Sequence, residues 1–287
     1  MAGTKEIRTQ IRSIESTRKI TRAMEMVAAS KIRRVQARMQ ASRPYLVRIR
    51  QVTGHLAVLR PEFPHPFLLP RSTMRGVGFL VIGTDRGLCG GLNINLIRTV
   101  WNEVRILNKQ GISIRFAAIG QKALTGLRRL DATLVASVTH LGDRPAPENV
   151  IGPLRALLED YRQGHIDRLV LAFNYFQNTM IQKPHLVTLL PIPAQRDPGL
   201  ADHWDYLYEP DSVDLIDTWL TRYLEAETYQ GLLENIASEQ AARMVAMKSA
   251  SENASTLIDT LKLAYNKARQ AAITREIAEI VGGAAAV

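Results

Sequence analysis

The C-terminal run, residues 211–287, constrains this chain most, because it contains no proline at all. Its apolar and small residues recur every three or four positions, namely Ala237, Ala241, Met244, Met247, Ala250, Ala254, Leu257, Leu261, Ala264, Ala268 and Ala271. The spacing predicts one helix of about 70 residues, or about 105 Å at about 1.5 Å per residue. Helices of globular proteins are usually far shorter. A helix of this length therefore needs a partner.

The N-terminal segment, residues 4–59, offers that partner. Its apolar residues also follow helical spacing, with a local kink expected at Pro44. One helix enters the middle of the chain and the other leaves it, so a pair between them would be antiparallel. The C-terminal helix would then overhang by about 15 residues, or about 20 Å. That overhang, from Arg269 to Val287, carries Ile and Val residues that should be surrounded by a partner.

The middle of the chain alternates short apolar runs with helical patterns. Strands are predicted at residues 77–83, 112–120, 132–138, 167–176 and 185–192, the last at an edge of the sheet because Pro191 has no N–H to donate. Helices are predicted at 92–109, 122–130 and 147–162. This alternation predicts an α/β fold with a largely parallel sheet. Three parts are expected: an N-terminal helix (1–60), a central α/β domain (61–210) and a C-terminal helix (211–287).

The net charge of +10 is concentrated in the first 50 residues. They hold 13 of the 37 Lys and Arg residues and 3 of the 27 Asp and Glu residues, so the remaining 24 of each sign cancel. Such a helix is either a solvated basic face or a surface for acidic groups on a protein, a nucleic acid or a membrane. No run of 18 apolar residues is present, so no membrane span is expected.

The segment GTDRGLCGGLN (83–93) lies where a strand meets a helix, a place where backbone amides often bind phosphate. It matches neither the Walker A pattern nor a G-x-G-x-x-G pattern, which favours a tight packing turn. Asp85 and Arg86 are expected to form either an ion pair or a surface contact. Cys89 is expected to be buried and structural, because the six histidines show no metal-binding spacing and no pattern marks a base beside it.

Nucleic-acid binding remains an alternative at this point. The segment KIRRVQAR (31–38) could follow phosphates. Against this, the first helix has no aromatic residue before Tyr45 for base stacking, and it has an apolar seam throughout. A coiled-coil adaptor or a nucleic-acid-binding rod therefore remains one alternative for the function of this chain.

Three segments resemble the γ-subunit family of F-type ATP synthases in its bacterial form. They are EIRTQIRSIESTRKITRAMEMVAASKIRRVQ (6–36), GTDRGLCGGLN (83–93) and the run from Ala237 to Ala286. The resemblance covers the whole chain. It implies a coiled coil of paired N- and C-terminal helices with a central Rossmann-like parallel-sheet domain. It also implies a rotor shaft inside a hexamer of three α and three β subunits.

The same resemblance implies the function and the partners. The proton-driven c-ring would turn the shaft, and the shaft would force the β catalytic sites through different nucleotide affinities while itself catalysing nothing. The partners would be the α, β and ε subunits and the c-ring, with one copy of this chain per complex. No cofactor, metal or nucleic acid is implied. The location would be the cytoplasmic face of the bacterial inner membrane, as a peripheral protein.

Contact residues can be transferred to matching positions. The basic residues and one methionine of the first helix would face β: Lys19, Arg22, Met24, Lys31, Arg33 and Arg34. Glu239, Gln240 and Arg243 would form a hydrogen-bonded catch with β. Arg269 and Gln270 would form a second catch near the tip. Tyr206 and Tyr208 would meet loops of the c-ring.

Overall fold

The computed structural model describes residues 2–59, 65–71, 73–142, 145–193 and 212–284. In these ranges the helices and strands follow in chain order as α1 (Ala2–Leu59), β1 (Gly76–Ile82), α2 (Leu92–Lys109), β2 (Ser113–Ile119), α3 (Gln121–Leu127), β3 (Thr133–Val138), α4 (Glu148–Arg162), β4 (Arg168–Phe176), β5 (Gln182–Leu190) and α5 (Ser212–Ala284). The predicted helices and strands are all present, and most of their bounds agree within three residues. Helix α1 continues through Pro44 without ending there.

The five strands form one sheet in the order β3-β2-β1-β4-β5. The first four are parallel, and β5 runs antiparallel to β4 at the edge of the sheet. The prediction of a largely parallel sheet with the last strand at an edge is confirmed. Strands β2 and β3 lie successively on one side of β1. Helix α4 then crosses the sheet, and β4 lies on the other side of β1, so the strand order reverses between β1 and β4.

Both faces of the sheet are covered, which explains why β1 is buried at every position. One face packs against α2 and α3 through Leu96, Val100 and Leu127. The other face packs against α4 and the first part of α5, with Leu154, Leu220 and Leu224 in a single apolar cluster. The central domain therefore has three layers, and α5 belongs to one of them.

The chain divides into two compact units. Unit 1 comprises residues 1–30 and 243–287, and unit 2 comprises residues 31–242. Unit 1 contains the first half of α1 and the last part of α5. Unit 2 contains the sheet, its helices and the remaining parts of α1 and α5.

In unit 2, α1 and α5 pair antiparallel. Ser42 donates to Gln230 (3.2 Å), and Trp219 donates through its indole N–H to Thr53 (3.0 Å), so 11 steps along α1 match 11 steps back along α5. Arg50 binds both carboxylate oxygens of Glu227, which raises the pKa of the guanidinium chiefly through the hydrogen bond. Burial raises the pKa of nearby Tyr223 to about 12. Polar side chains thus fix the register here.

In unit 1 the two helices also pair antiparallel. The hydroxyls of Thr21 and Ser251 lie 2.7 Å apart, and Arg18 donates to Ser255 at 3.4 Å. Counting 19 residues back from Thr21 reaches Ala2, and counting 19 residues on from Ser251 reaches Gln270. The part of α5 beyond Gln270 therefore has no counterpart on α1, and the overhang begins two residues after its expected start at Arg269.

Candidate partner-contact surfaces

The candidate contact residues are distributed over both units. Lys19, Arg22, Met24, Arg243, Arg269 and Gln270 belong to unit 1, and Lys31, Arg33, Arg34, Glu239 and Gln240 belong to unit 2. Tyr206 and Tyr208 lie outside the described residues.

In unit 1 a groove of about 530 Å³ runs between the paired helices. Lys19 and Arg22 are exposed and line it together with Arg18 and Lys248, while Glu25 and Glu252 supply the opposing charges. Met24 is half-buried and does not line the groove. Four cations against two carboxylates give this groove a positive balance, which suits an acidic partner.

The overhang of α5 is apolar and exposed. Ile273 is 47% exposed, Ile277 56%, Ile280 71% and Val281 62%. Arg269 and Gln270 are exposed and lie just before this stretch. A helix with four large apolar residues in solvent is typical of a surface that a partner covers. By contrast, Arg243 is only 9% exposed within unit 1.

In unit 2 a cavity of about 940 Å³ opens at the carboxyl ends of β1, β2 and β3. Its basic lining residues are Lys31, Arg34, Arg38, Arg86 and His140, and its acidic ones are Asp85 and Glu239. Gln240 also lines the cavity, although it is only 6% exposed. Arg33 is exposed on α1 outside this lining. The transferred residues Lys31, Arg34, Glu239 and Gln240 thus share one cavity.

The glycine-rich segment beside this cavity is a tight turn that satisfies its own hydrogen bonds. The Asp85 carboxylate accepts the backbone N–H groups of Gln121 (3.0 Å), His140 (3.0 Å) and Leu141 (2.8 Å). A carboxylate of this segment therefore ties the end of β1 to the backbone that follows β2 and β3. Of the two expectations for Asp85 and Arg86, an ion pair is wrong, because Asp85 binds these N–H groups and Arg86 is exposed on the cavity wall.

Cys89 is buried as predicted, at 3% exposed. The side-chain amide of Asn93 donates to its sulfur at 3.3 Å and to the Thr84 hydroxyl at 2.8 Å. Asn93 also accepts the backbone N–H of Thr84 at 3.2 Å, so one amide ties the start of α2 to the end of β1. These contacts give Cys89 a packing role in the turn.

Across the described ranges, no group of three or more His, Cys, Asp and Glu side chains fits a metal ion. In the same ranges, no helix combines the length and the apolarity that crossing a bilayer requires.

Sequence reasoning missed a set of buried polar residues where α5 meets the sheet. Asn174, Asn235 and Ser238 are 0%, 1% and 0% exposed. Asn174 interrupts the apolar strand run LAFNYF, and this break in the pattern was the available signal.

Comparison with known proteins identifies the family. A family model described as ATP synthase matches residues 3–287. The ATP synthase gamma chain of Nitrosococcus oceani is 54% identical over 290 residues, covering 100% of both chains. The gamma chain of Stenotrophomonas maltophilia is 53% identical over 287 residues, again covering 100% of both.

Solved structures share the fold. A chain of the Euglena gracilis mitochondrial ATP synthase, from its OSCP/F1/c-ring structure, superposes with a TM-score of 0.68 at 21% identity and covers 99% of this chain and 94% of its own. A chain of the Tetrahymena thermophila central stalk and c-ring structure gives 0.62 at 24% identity, covering 81% and 99%. The alternative of an adaptor or nucleic-acid-binding rod is not supported by any of these matches. With residues 3–287 matched and full-length relatives above 50% identity, this chain belongs to the ATP synthase gamma chain family.

Proposed function

We propose that this chain is the central rotor shaft of an F-type ATP synthase. It transmits torque from the proton-driven c-ring to the catalytic hexamer of α and β subunits, and through that coupling it regulates ATP hydrolysis and proton flow. The observation that carries this proposal is the full-length identity of 54% to a bacterial gamma chain. The antiparallel pairing of α1 and α5 within each unit supports it, since a shaft built of two helices needs such pairing.

The chain acts without catalysing a reaction itself. It works as one copy with α, β and ε subunits and the c-ring, on the cytoplasmic face of the bacterial inner membrane. The parts 1–60, 61–210 and 211–287 serve as shaft helix, foot and second shaft helix. Tyr206 and Tyr208 belong to the foot and meet the c-ring.

The basic residues Lys19, Arg22, Lys31, Arg33 and Arg34 and the side chain of Met24 face acidic and apolar loops of β. All five cations are exposed or line a positively balanced groove or cavity in the isolated chain, which supports this assignment. Glu239, Gln240 and Arg243 form one catch with β. Because Gln240 and Arg243 are mostly buried in the isolated chain, their contact with β requires the partner to reach into the surface.

Arg269 and Gln270 form the second catch, at the point where the N-terminal end of α1 lies beside α5 and the apolar overhang begins. The overhang turns inside a sleeve of apolar loops. Its exposed Ile273, Ile277 and Ile280 support this role, because apolar contacts lack the directional hydrogen bonds that would oppose rotation.

Native mass spectrometry of complexes captured with this chain tests the proposal. We expect one copy of the chain with three α, three β and one ε subunit. A hexamer lacking the chain, together with chain bound to DNA, would contradict the rotor function.

The catch is tested by changing Arg269 and Gln270 together to Ala in the membrane-bound complex. Loss of two hydrogen bonds worth about 1 kcal/mol each should lower ATP synthesis by about thirtyfold. The matched control changes Asn266 and Lys267 to Ala, which removes one amide and one cation from exposed neighbouring positions of α5. Equal ATP synthesis in the two double variants would remove the assignment.

A further inference from the structure

Helix α5 forms hydrogen bonds with the sheet at the point where β1 and β4 separate. The ladder between these strands ends at the pair Val81 and Ala172. Two residues farther on, Gly83 and Asn174 no longer pair with each other. In parallel α/β sheets this reversal point, beyond the carboxyl ends of the strands, is the usual crevice for a ligand.

Side chains of α5 fill this crevice. The Asn235 amide oxygen accepts the backbone N–H of Asn174 (3.3 Å) and its side-chain amide (2.8 Å). The Asn235 amide nitrogen donates to the Gly83 carbonyl at 3.0 Å. One side chain of α5 thus bridges the ends of the two central strands.

Two neighbouring side chains extend the contact along β4. Ser238 donates to the carbonyl of Asn174 at 2.9 Å, and Glu234 accepts the backbone N–H of Phe176 at 3.0 Å. The backbone groups of β4 that would continue the ladder therefore bind α5 instead. We call Glu234, Asn235 and Ser238 with their partners on the strands the α5 joint.

One turn earlier in α5, Gly231 allows the helix to lie close to the sheet. A Cβ atom on Gly231 would lie 3.0 Å from Leu171 Cδ2 and 3.4 Å from Phe173 Cδ1. Gly231, Glu234, Asn235 and Ser238 follow one another at steps of three, one and three residues, so they share one face of the helix. Because Asn174 and Asn235 are almost fully buried, losing either partner leaves polar groups without water to replace it.

We propose that the α5 joint is where torque passes between the sheet domain and helix α5, with Asn235 as its central positioning residue. This rests on the rotor function proposed above. Apolar packing alone resists separation but allows sliding, since it has no directional preference. Hydrogen bonds at fixed geometry resist sliding of the helix along the sheet. Under load, the joint keeps the angle of the helix tied to the angle of the sheet domain.

The test compares loaded with unloaded work in inverted membrane vesicles carrying the whole complex. ATP synthesis driven by an ion gradient loads the joint, whereas ATP hydrolysis with the gradient collapsed does not. Asn235→Ala should lower the ratio of synthesis to hydrolysis about tenfold, because three hydrogen bonds are lost, and Ser238→Ala should lower it about threefold. A residue that only stabilises the fold would lower both activities together and leave the ratio unchanged.

Thr228→Val is the matched control. Thr228 is 0% exposed, but its hydroxyl donates to Leu224 within α5 and not to the sheet. The ratio of ATP synthesis to hydrolysis in this variant should equal that of the wild type. If Asn235→Ala does not assemble, Ser238→Ala decides the question.

Two negative results are separable. Failure of the wild-type chain to enter the complex would overturn the rotor function itself. A wild-type complex that makes ATP, with an unchanged ratio in the assembled joint variants, would overturn only the joint.

Discussion

The same two helices are held together differently in the two units. In unit 1 three of the buried residues are small or hydroxylic, namely Thr21, Ala28 and Ala254, and the larger ones are Arg243, Met247 and Ile258. In unit 2 the helices share an ion pair between Arg50 and Glu227, and α5 also packs on the sheet. Small side chains let helix axes approach closely but bury little apolar area. The helix pair of unit 1 therefore buries less apolar area than that of unit 2, in which the ion pair and the sheet add further contacts.

The largest expected effect compares a core residue of each unit. Leu220 is 0% exposed in the apolar cluster under α5, and Ile258 is 2% exposed in unit 1. Leu220→Ala should lower the free energy of unfolding near the upper end of about 2 to 5 kcal/mol, and Ile258→Ala near the lower end. Urea unfolding followed by hydrogen exchange of peptides from each unit measures both. Equal losses of unfolding free energy in the two variants would contradict this difference in packing between the two units.

The next effect concerns acid stability in unit 2. Asp167 accepts hydrogen bonds from the backbone N–H groups of Arg75 (2.6 Å) and Gly76 (3.1 Å) and from the Arg71 guanidinium (2.9 Å). Burial opposes ionisation, but these hydrogen bonds outweigh it and hold the pKa of Asp167 below its ordinary value of 3.8. The carboxylate therefore stabilises the fold fully above pH 3.8 and loses this effect as pH falls through the lowered pKa.

Asp167→Asn should lower the free energy of unfolding by about 1.5 to 3 kcal/mol at neutral pH, the range for hydrogen bonds to a charged group. The difference from the wild type should shrink as pH falls below 3.8. Urea unfolding at pH 7, 5 and 3 measures it, with Asp131→Asn at an exposed position as the control. A difference that is constant across this range would show that the charge is not responsible.

The smallest expected effect is the hydroxyl pair of unit 1. A double-mutant cycle with Thr21→Val and Ser251→Ala should give a coupling energy of about 0.5 to 1.5 kcal/mol. Thr17→Val is the control, because the Thr17 hydroxyl donates to the carbonyl of Ser13 within α1. A coupling energy near zero would indicate that side-chain packing alone sets the register of unit 1.

Periodicity predicted the architecture well because each element has a clear pattern. The apolar run 77–83 anticipated β1, and Pro191 anticipated an edge position for β5. The start of the overhang followed from helix lengths alone, since two antiparallel helices of unequal length must leave one end unpaired. The predicted length of α5 agrees with its 73 residues.

The polar contacts could not be predicted, because they depend on which residues the fold brings together. Asn174 and Asn235 lie 61 positions apart, and no local pattern relates them. The binding of Asp85 to N–H groups that follow β2 and β3 depends on the order of the strands. The partner contacts at Arg269 and Gln270 rest on resemblance, since exposure alone does not identify what covers a surface.

The hydroxyl pair of unit 1 joins residues 230 positions apart in the chain. A ribosome adds about 5 to 20 residues per second, so α1 waits about 10 to 50 s before its counterpart on α5 is made. Closing such a long loop costs conformational entropy, and a folded sheet domain between the two helices lowers that cost. The seam of α1 therefore stays unpaired until α5 is made, and a central domain that folds first would shorten the loop that the helix pair has to close.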